Sequence, residues 1–129
     1  MSGFTKNIVS TDLAPEAVGT YSQGVEHAGV YYFSGQIGLD PKTMTMESDF
    51  QSQIDQIMKN IDGLLESQSL TREHIIKTSI FVTDLGNFDL VNKAYVAYFS
   101  EPYPARSCVQ VPALPKGALV EIEVIAAKK

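Results

Sequence analysis

Two stretches of this chain repeat apolar residues at helical spacing, while five or six others read as strands. That imbalance limits the folds open to it. The first stripe is Phe50, Ile54, Ile57, Met58, Ile61, Leu64 and Leu65, spaced mostly by three and four. Gln53, Asp55, Gln56, Lys59, Asn60 and Asp62 are expected on its solvent face. Ser48 with Gln51 three positions on predicts a capping box. The second stripe is Phe88, Val91, Ala94, Tyr95, Tyr98 and Phe99, entered through the turn Asp84-Leu85-Gly86-Asn87. Strands are expected over residues 6–10, 25–27, 30–37, 75–83, 106–111 and 119–127. Two helices cannot cover both faces of so wide a sheet, so they are expected on one face. The 129 residues fit a single domain, 1–129, with its own core. The fold class is α/β (α+β): a mixed sheet of five to six strands with two helices packed on one face.

The other sheet face then needs a cover. In the last strand Val120, Ile122 and Val124 share one side and should meet the helices, leaving Glu121, Glu123 and Ile125 on the other. In the strand before it, Arg106, Cys108 and Gln110 share a side opposite Ser107, Val109 and Val111. Both strands thus carry a second face mixing polar with apolar groups. Another copy of the chain is expected to cover it, with the polar groups at the subunit interface.

Charge narrows the partner. The net charge is -5, and no basic stripe is present, which argues against nucleic acid as the main partner. One cysteine rules out an intrachain disulfide and a cysteine-rich zinc site, and His27 and His74 are too far apart in sequence to suggest a metal site. Gly35-Gln36-Ile37-Gly38 matches no nucleotide-binding pattern. No cofactor and no metal are implied. No basic-then-apolar leader and no run of about 18 apolar residues occurs, so a soluble, cytoplasmic protein is expected.

Chemistry concentrates at Pro104-Ala105-Arg106-Ser107-Cys108-Val109, which holds one of only two arginines and the only cysteine. Arginine grips a carboxylate through paired N–H···O bonds. Glutamate can act as general base toward a water. If the last two strands pair, Arg106 and Glu121 flank one cavity, either as a working pair or as a structural ion pair; Glu123 is the rival of Glu121 on the same side. Cys108 lacks a neighbouring histidine base and reads better as a small buried residue than as a nucleophile. Tyr21 and Ser34 lie where either can donate a hydrogen bond to a ligand, and Gly35 permits close backbone approach. Asn92 falls among the polar positions of the second helix. Lys116 and the Lys128-Lys129 pair read as solvated.

The motifs Tyr21-Ser22-Gln23-Gly24, Ser34-Gly35-Gln36-Ile37, Pro104-Ala105-Arg106-Ser107-Cys108-Val109 and Glu121-Ile122-Glu123, in this order, resemble the RidA (YjgF) family of reactive-intermediate deaminases. Val91-Asn92-x-x-Tyr95 and Leu114-Pro115-Lys116 extend the likeness to residues 5–127. The resemblance implies a chorismate-mutase-like fold, a homotrimer with clefts between subunits, and hydrolysis of enamines and imines (2-aminoacrylate, 2-iminopropanoate, 2-iminobutanoate) to 2-keto acids and ammonia. It implies Arg106 as carboxylate anchor, Glu121 as the group that activates water, the backbone of Cys108 as a contact for water or imine nitrogen, and Tyr21, Ser34 and Asn92 as cleft residues. Thr20 stands where the family often has proline, and Ser100-Glu101-Pro102-Tyr103 is the shorter form of that segment. A trimer that binds small 2-keto or amino acids without turnover is the alternative; a ribonuclease or translation inhibitor, as some members are named, fits the acidic composition least.

Overall fold

A computed structural model of the chain describes residues 4–128; residues 1–3 and Lys129, half of the lysine pair read as solvated, lie outside the described residues. The order is β1 (Asn7–Val9), β2 (Gly24–His27), β3 (Val30–Phe33), α1 (Phe50–Ser67), β4 (Ile75–Val82), α2 (Phe88–Tyr98), β5 (Ala105–Gln110) and β6 (Val120–Ala127). Short 3-10 turns fall at Arg72–His74, Leu85–Asn87 and Pro115–Gly117. The strands form one six-stranded sheet in the order β1-β2-β3-β6-β4-β5. All neighbours are antiparallel except β4 and β5, which run parallel. Parallel strands need a crossover, and α2 supplies it. Among the described residues no helix is long and apolar enough to cross a membrane.

The core lies between one sheet face and both helices, as the helical stripes require. Ile54, Ile57, Ile61, Leu64 and Leu65 of α1 are nearly inaccessible, as are Val91 of α2 and Ile80, Val82, Val120 and Ile122 of the sheet. At roughly 25 cal/mol per Å2 of buried apolar surface, this shared face is the main source of stability.

Three local expectations are corrected. The cap of α1 is Asp49, not Ser48: its side chain accepts from the Ser52 N–H at 2.9 Å from an extended backbone. Gln53 and Asn60 are buried, not solvated, because loop backbone on either side needs partners inside. Gln53 accepts from the Leu119 N–H at 2.8 Å and donates to the Glu47 carbonyl at 2.8 Å, and Asn60 donates to the Leu39 carbonyl at 2.9 Å. Finally, β3 ends at Phe33 rather than running to residue 37. From Tyr32 to Gln36 the chain takes four steps, whereas its partner takes three from Ile125 to Ile122. The extra residue makes a β-bulge at Ser34-Gly35, after which Gln36 rejoins Ile122 through bonds of 2.8 and 3.0 Å.

A further correction decides where the site is built. β5 and β6 do not pair, because β4 lies between them. In register, Ile80 stands beside both Cys108 and Ile122, and Phe81 beside both Val109 and Glu121. Residues paired in register share a sheet face. Arg106, Cys108 and Gln110 therefore lie on the helix side, and Glu121 and Glu123 on the uncovered side. Arg106 and Glu121 do not share a face as expected.

Gly63 shows how closely α1 is packed: a Cβ there would lie 2.2 Å from the Leu13 carbonyl oxygen. Gly63→Ala should gain about 1 kcal/mol of helix propensity and lose more to overpacking, typically about 1–3 kcal/mol and here forced against rigid backbone. A lower urea midpoint with unchanged slope is the expected result; a raised midpoint would mean that the Leu13 loop yields.

Candidate functional site

The residues singled out from the sequence fall into two groups on opposite faces. The first gathers at the sheet edge around Arg106. β5 is an edge strand that the helices leave largely open; only Cys108 in it is partly covered. From α2, Phe88, Asn92 and Tyr95 project along one stripe at spacings of four and three. All three meet Arg106. Its Nη1 donates to the Asn92 Oδ1 at 2.7 Å. Its guanidinium carbon lies 5.0 Å from the Tyr95 ring centre and 5.4 Å from that of Phe88. Among the described residues Asn92 is the only hydrogen-bond acceptor that Arg106 uses, so most of its five N–H groups remain open for a ligand. Asn92, expected to line the cleft, holds the arginine. Burial pushes the Cys108 thiol up, against an opposing effect of nearby Arg106. At neutral pH the thiol stays protonated and is a poor nucleophile.

The second group lies around Glu121. A cavity of about 580 Å3 opens beside the β3 bulge, lined among others by Tyr21, Ser34, Gly35, Lys116, Glu121 and Glu123. Glu121 is half-buried, and burial, with a smaller contribution from Glu123, raises its pKa above the ordinary carboxylate value. A carboxylate so placed is a better base when ionised. The bulge turns Gly35 over it: a Cβ at Gly35 would stand 2.6 Å from the Glu121 Oε2. Ser34 departs from expectation, because its hydroxyl donates to the Ser22 carbonyl at 2.6 Å. With its proton committed, it faces a ligand as an acceptor rather than a donor. Tyr21 is 55% exposed at the rim of this cavity.

One residue essential to this wall was not singled out from the sequence. Gln23 is buried, and its amide ties down the loop before it, accepting from the Thr11 N–H at 2.6 Å and donating to the Thr11, Ala14 and Pro15 carbonyls at 2.8, 3.2 and 2.8 Å. It sits in the Tyr21-Ser22-Gln23-Gly24 motif, but its role depends on burial that a glutamine does not announce.

A larger hollow of about 890 Å3 near the ends of α1 and α2 holds none of these residues. Its Arg72 is bonded to both carboxylate oxygens of Asp62, at 3.0 and 2.8 Å, and lies 3.9 Å above the Tyr98 ring. Tyr98 also donates to Asp62 at 2.6 Å. These groups satisfy one another, so the cluster reads as a brace between helices. Arg106 and Glu121, by contrast, keep open donors and a half-buried carboxylate, so they are the candidate site despite the smaller cavity.

Because the Glu121 side chain is flexible where the Gly35 backbone is not, Gly35→Ala should displace the carboxylate at little cost, within about 0.5 kcal/mol of the parent stability. The check is the Glu121 side-chain carboxyl signal by NMR. It should shift in the variant, and an unmoved signal would show that Gly35 does not set its place.

Comparison with known proteins places the chain among close relatives. The model of the family described as Endoribonuclease L-PSP matches residues 11–128. A 2-iminobutanoate/2-iminopropanoate deaminase of Salmonella typhimurium is 42% identical over 124 residues, covering 94% of this chain and 97% of the relative. The crystal structure of RidA from the Antarctic bacterium Psychrobacter sp. superposes with a TM-score of 0.91 at 45% identity, covering 94% of this chain and 98% of that one. That of Escherichia coli TdcF with bound serine gives a TM-score of 0.91 at 39% identity, covering 95% and 99%. The fold and these likenesses converge: the chain belongs to the Endoribonuclease L-PSP (RidA/YjgF) family.

Proposed function

We propose that this protein hydrolyses small imines that carry a carboxylate, such as 2-iminopropanoate and 2-iminobutanoate, in clefts completed by neighbouring copies of the chain. The observation that carries the reading is the separation of Arg106 from Glu121. One chain offers an anion grip on one sheet face and a base on the other, and neither half alone suffices for the reaction. A copy laid against the uncovered face brings the two together. That face also needs covering. Ile8, Val25, Tyr32 and Ile125 run in register across four strands, with Ile8 57% and Tyr32 48% exposed. Closed cyclic assembly uses such a face once per subunit, and three copies give three equal clefts.

The reaction follows from these groups. Arg106 pairs with the substrate carboxylate and fixes the adjacent C=N carbon. Glu121 accepts a proton from a water as its oxygen bonds to that carbon. Glu121 passes that proton to the imine nitrogen, giving a carbinolamine. Glu121 then takes the carbinolamine O–H proton and relays it to the nitrogen as the C–N bond breaks, so that ammonia leaves and the carbon is left as the ketone. Oxidation states are unchanged, and water is the only co-reactant. Ser34, with lone pairs free, suits an N–H or water proton. Cys108 contributes through its backbone rather than a thiolate. The name of the Salmonella relative supports the reaction class, and the serine bound by TdcF supports a site for a small molecule bearing a carboxylate and an amino group.

The test adds the protein to a threonine dehydratase that releases the imine and follows keto-acid formation. The parent should accelerate it. Arg106→Ala should cut the acceleration at least roughly 30-fold, since removing one partner of a desolvated charge pair costs about 2 kcal/mol or more. Tight binding of 2-ketobutyrate without acceleration would point instead to a binding protein. RNA cleavage that survives Arg106→Ala and Glu121→Ala together would place any ribonuclease activity elsewhere.

A further inference from the structure

Behind the arginine stands a pair of buried hydroxyl groups that the proposed reaction does not use. Tyr95 is 6% exposed and Thr78 1%. The Tyr95 hydroxyl and the Thr78 Oγ1 are hydrogen-bonded to each other, and neither has another hydrogen-bond partner among the described residues. Thr78 is the residue of β4 in register with Arg106. The ring that the pair pins is one of the two aromatic surfaces beside the guanidinium. Burial raises the pKa of this phenol, so it stays protonated and hydrogen-bonded across the working pH range. Packing alone does not call for the pair. A phenylalanine and a valine would fill the same volume without two buried polar groups, and removing both partners of a buried hydrogen bond is often nearly neutral. The hydroxyl pair adds direction. It sets where the Tyr95 ring stands relative to β4, and β4 carries the register of β5. Phe99 packs against the ring from elsewhere, with centres 4.7 Å apart.

We propose that Tyr95 is a positioning residue for Arg106, its ring supporting the guanidinium and its hydroxyl locked to β4 by Thr78. This deepens the reading of Arg106 as carboxylate anchor and rests on it. A free arginine side chain carries substantial rotamer entropy. Held between Asn92, Phe88 and Tyr95 before a ligand arrives, it loses less on binding.

The test uses the full chain and two readouts. The first is steady-state imine hydrolysis by Tyr95→Phe, Thr78→Val and the double variant, each also made in an Arg106→Lys background. Tyr95→Phe and Thr78→Val should each raise KM roughly 2- to 10-fold, the cost of ordering one long side chain, and leave kcat near that of the parent. In the Arg106→Lys background, where the planar fork is gone, neither should change KM further. The second readout is the NMR-measured rate of rotation about the Nε–Cζ bond of the two arginines. It should rise for Arg106 and stay unchanged for Arg72, which serves as internal control. Tyr95→Leu, if it folds, should give the larger effect on Arg106 only. A fall in thermal stability with KM and Arg106 rotation both at parent values would overturn the proposal, as would equal KM effects in both backgrounds. If the parent protein does not accelerate imine hydrolysis, the enzymatic reading fails. The arginine rotation then decides the positioning role by itself.

Discussion

Strand β4 controls this structure. It lies between β5 and β6, and its register with each decides which face every neighbouring side chain occupies. Alternation leaves no freedom afterwards: a shift of one residue would turn Arg106 and Cys108 to the uncovered face. With the register as it is, the apolar residues of β4 and β6 meet the helices, Glu121 is left on the bare face, and Arg106 is held at the edge against α2. Burial of the core and separation of the two functional groups are thus consequences of one pairing. The register is held where burial is deepest, at Ile80, Val82, Val120 and Ile122.

Around that frame, polar residues do the finer placement. The bulge at Ser34-Gly35 clears space for Glu121, and Gln23 stitches down the loop that forms the opposite wall. On the other face, α2 lays Phe88, Asn92 and Tyr95 beside the guanidinium. Each half is built from helices, strands and short hydrogen bonds, which hold its side chains in place. Neither half is enclosed. Arg106 keeps most of its donors open, Glu121 is a half-buried carboxylate raised by burial, and the proposed second copy would meet the apolar row across the bare face.

Much of this was legible in the sequence, and the limits are physical. The stripes from Phe50 to Leu65 and from Phe88 to Phe99 revealed both helices, because a 3.6-residue period is a local property. The six strands and their order along the chain were legible for the same reason. Alternation also shows that the last strand carries a second face with Glu121, Glu123 and Ile125, and the structure leaves that face uncovered by the helices. What was not legible depends on contacts between distant residues. Nothing near Arg106 says that β4 separates it from Glu121. Nothing in Gln53 or Asn60 says that a loop carbonyl will draw it inside. Nothing in Ser34 shows that its proton is already given to Ser22. The motifs singled out Arg106 and Glu121, but their placement on opposite faces of the sheet needed the strand order.

The central claim is that Arg106 of one copy and Glu121 of another serve the same cleft, and subunit mixing tests it most directly. Differently tagged Arg106→Ala and Glu121→Ala chains are each expected to be nearly inactive. Mixed assemblies, formed at equal ratio by unfolding and refolding together, should recover about one quarter of the parent imine-hydrolase activity, since one cleft in four would draw an intact residue from each side. Mixed assemblies that form, verified by both tags, yet remain as inactive as either parent would contradict the account.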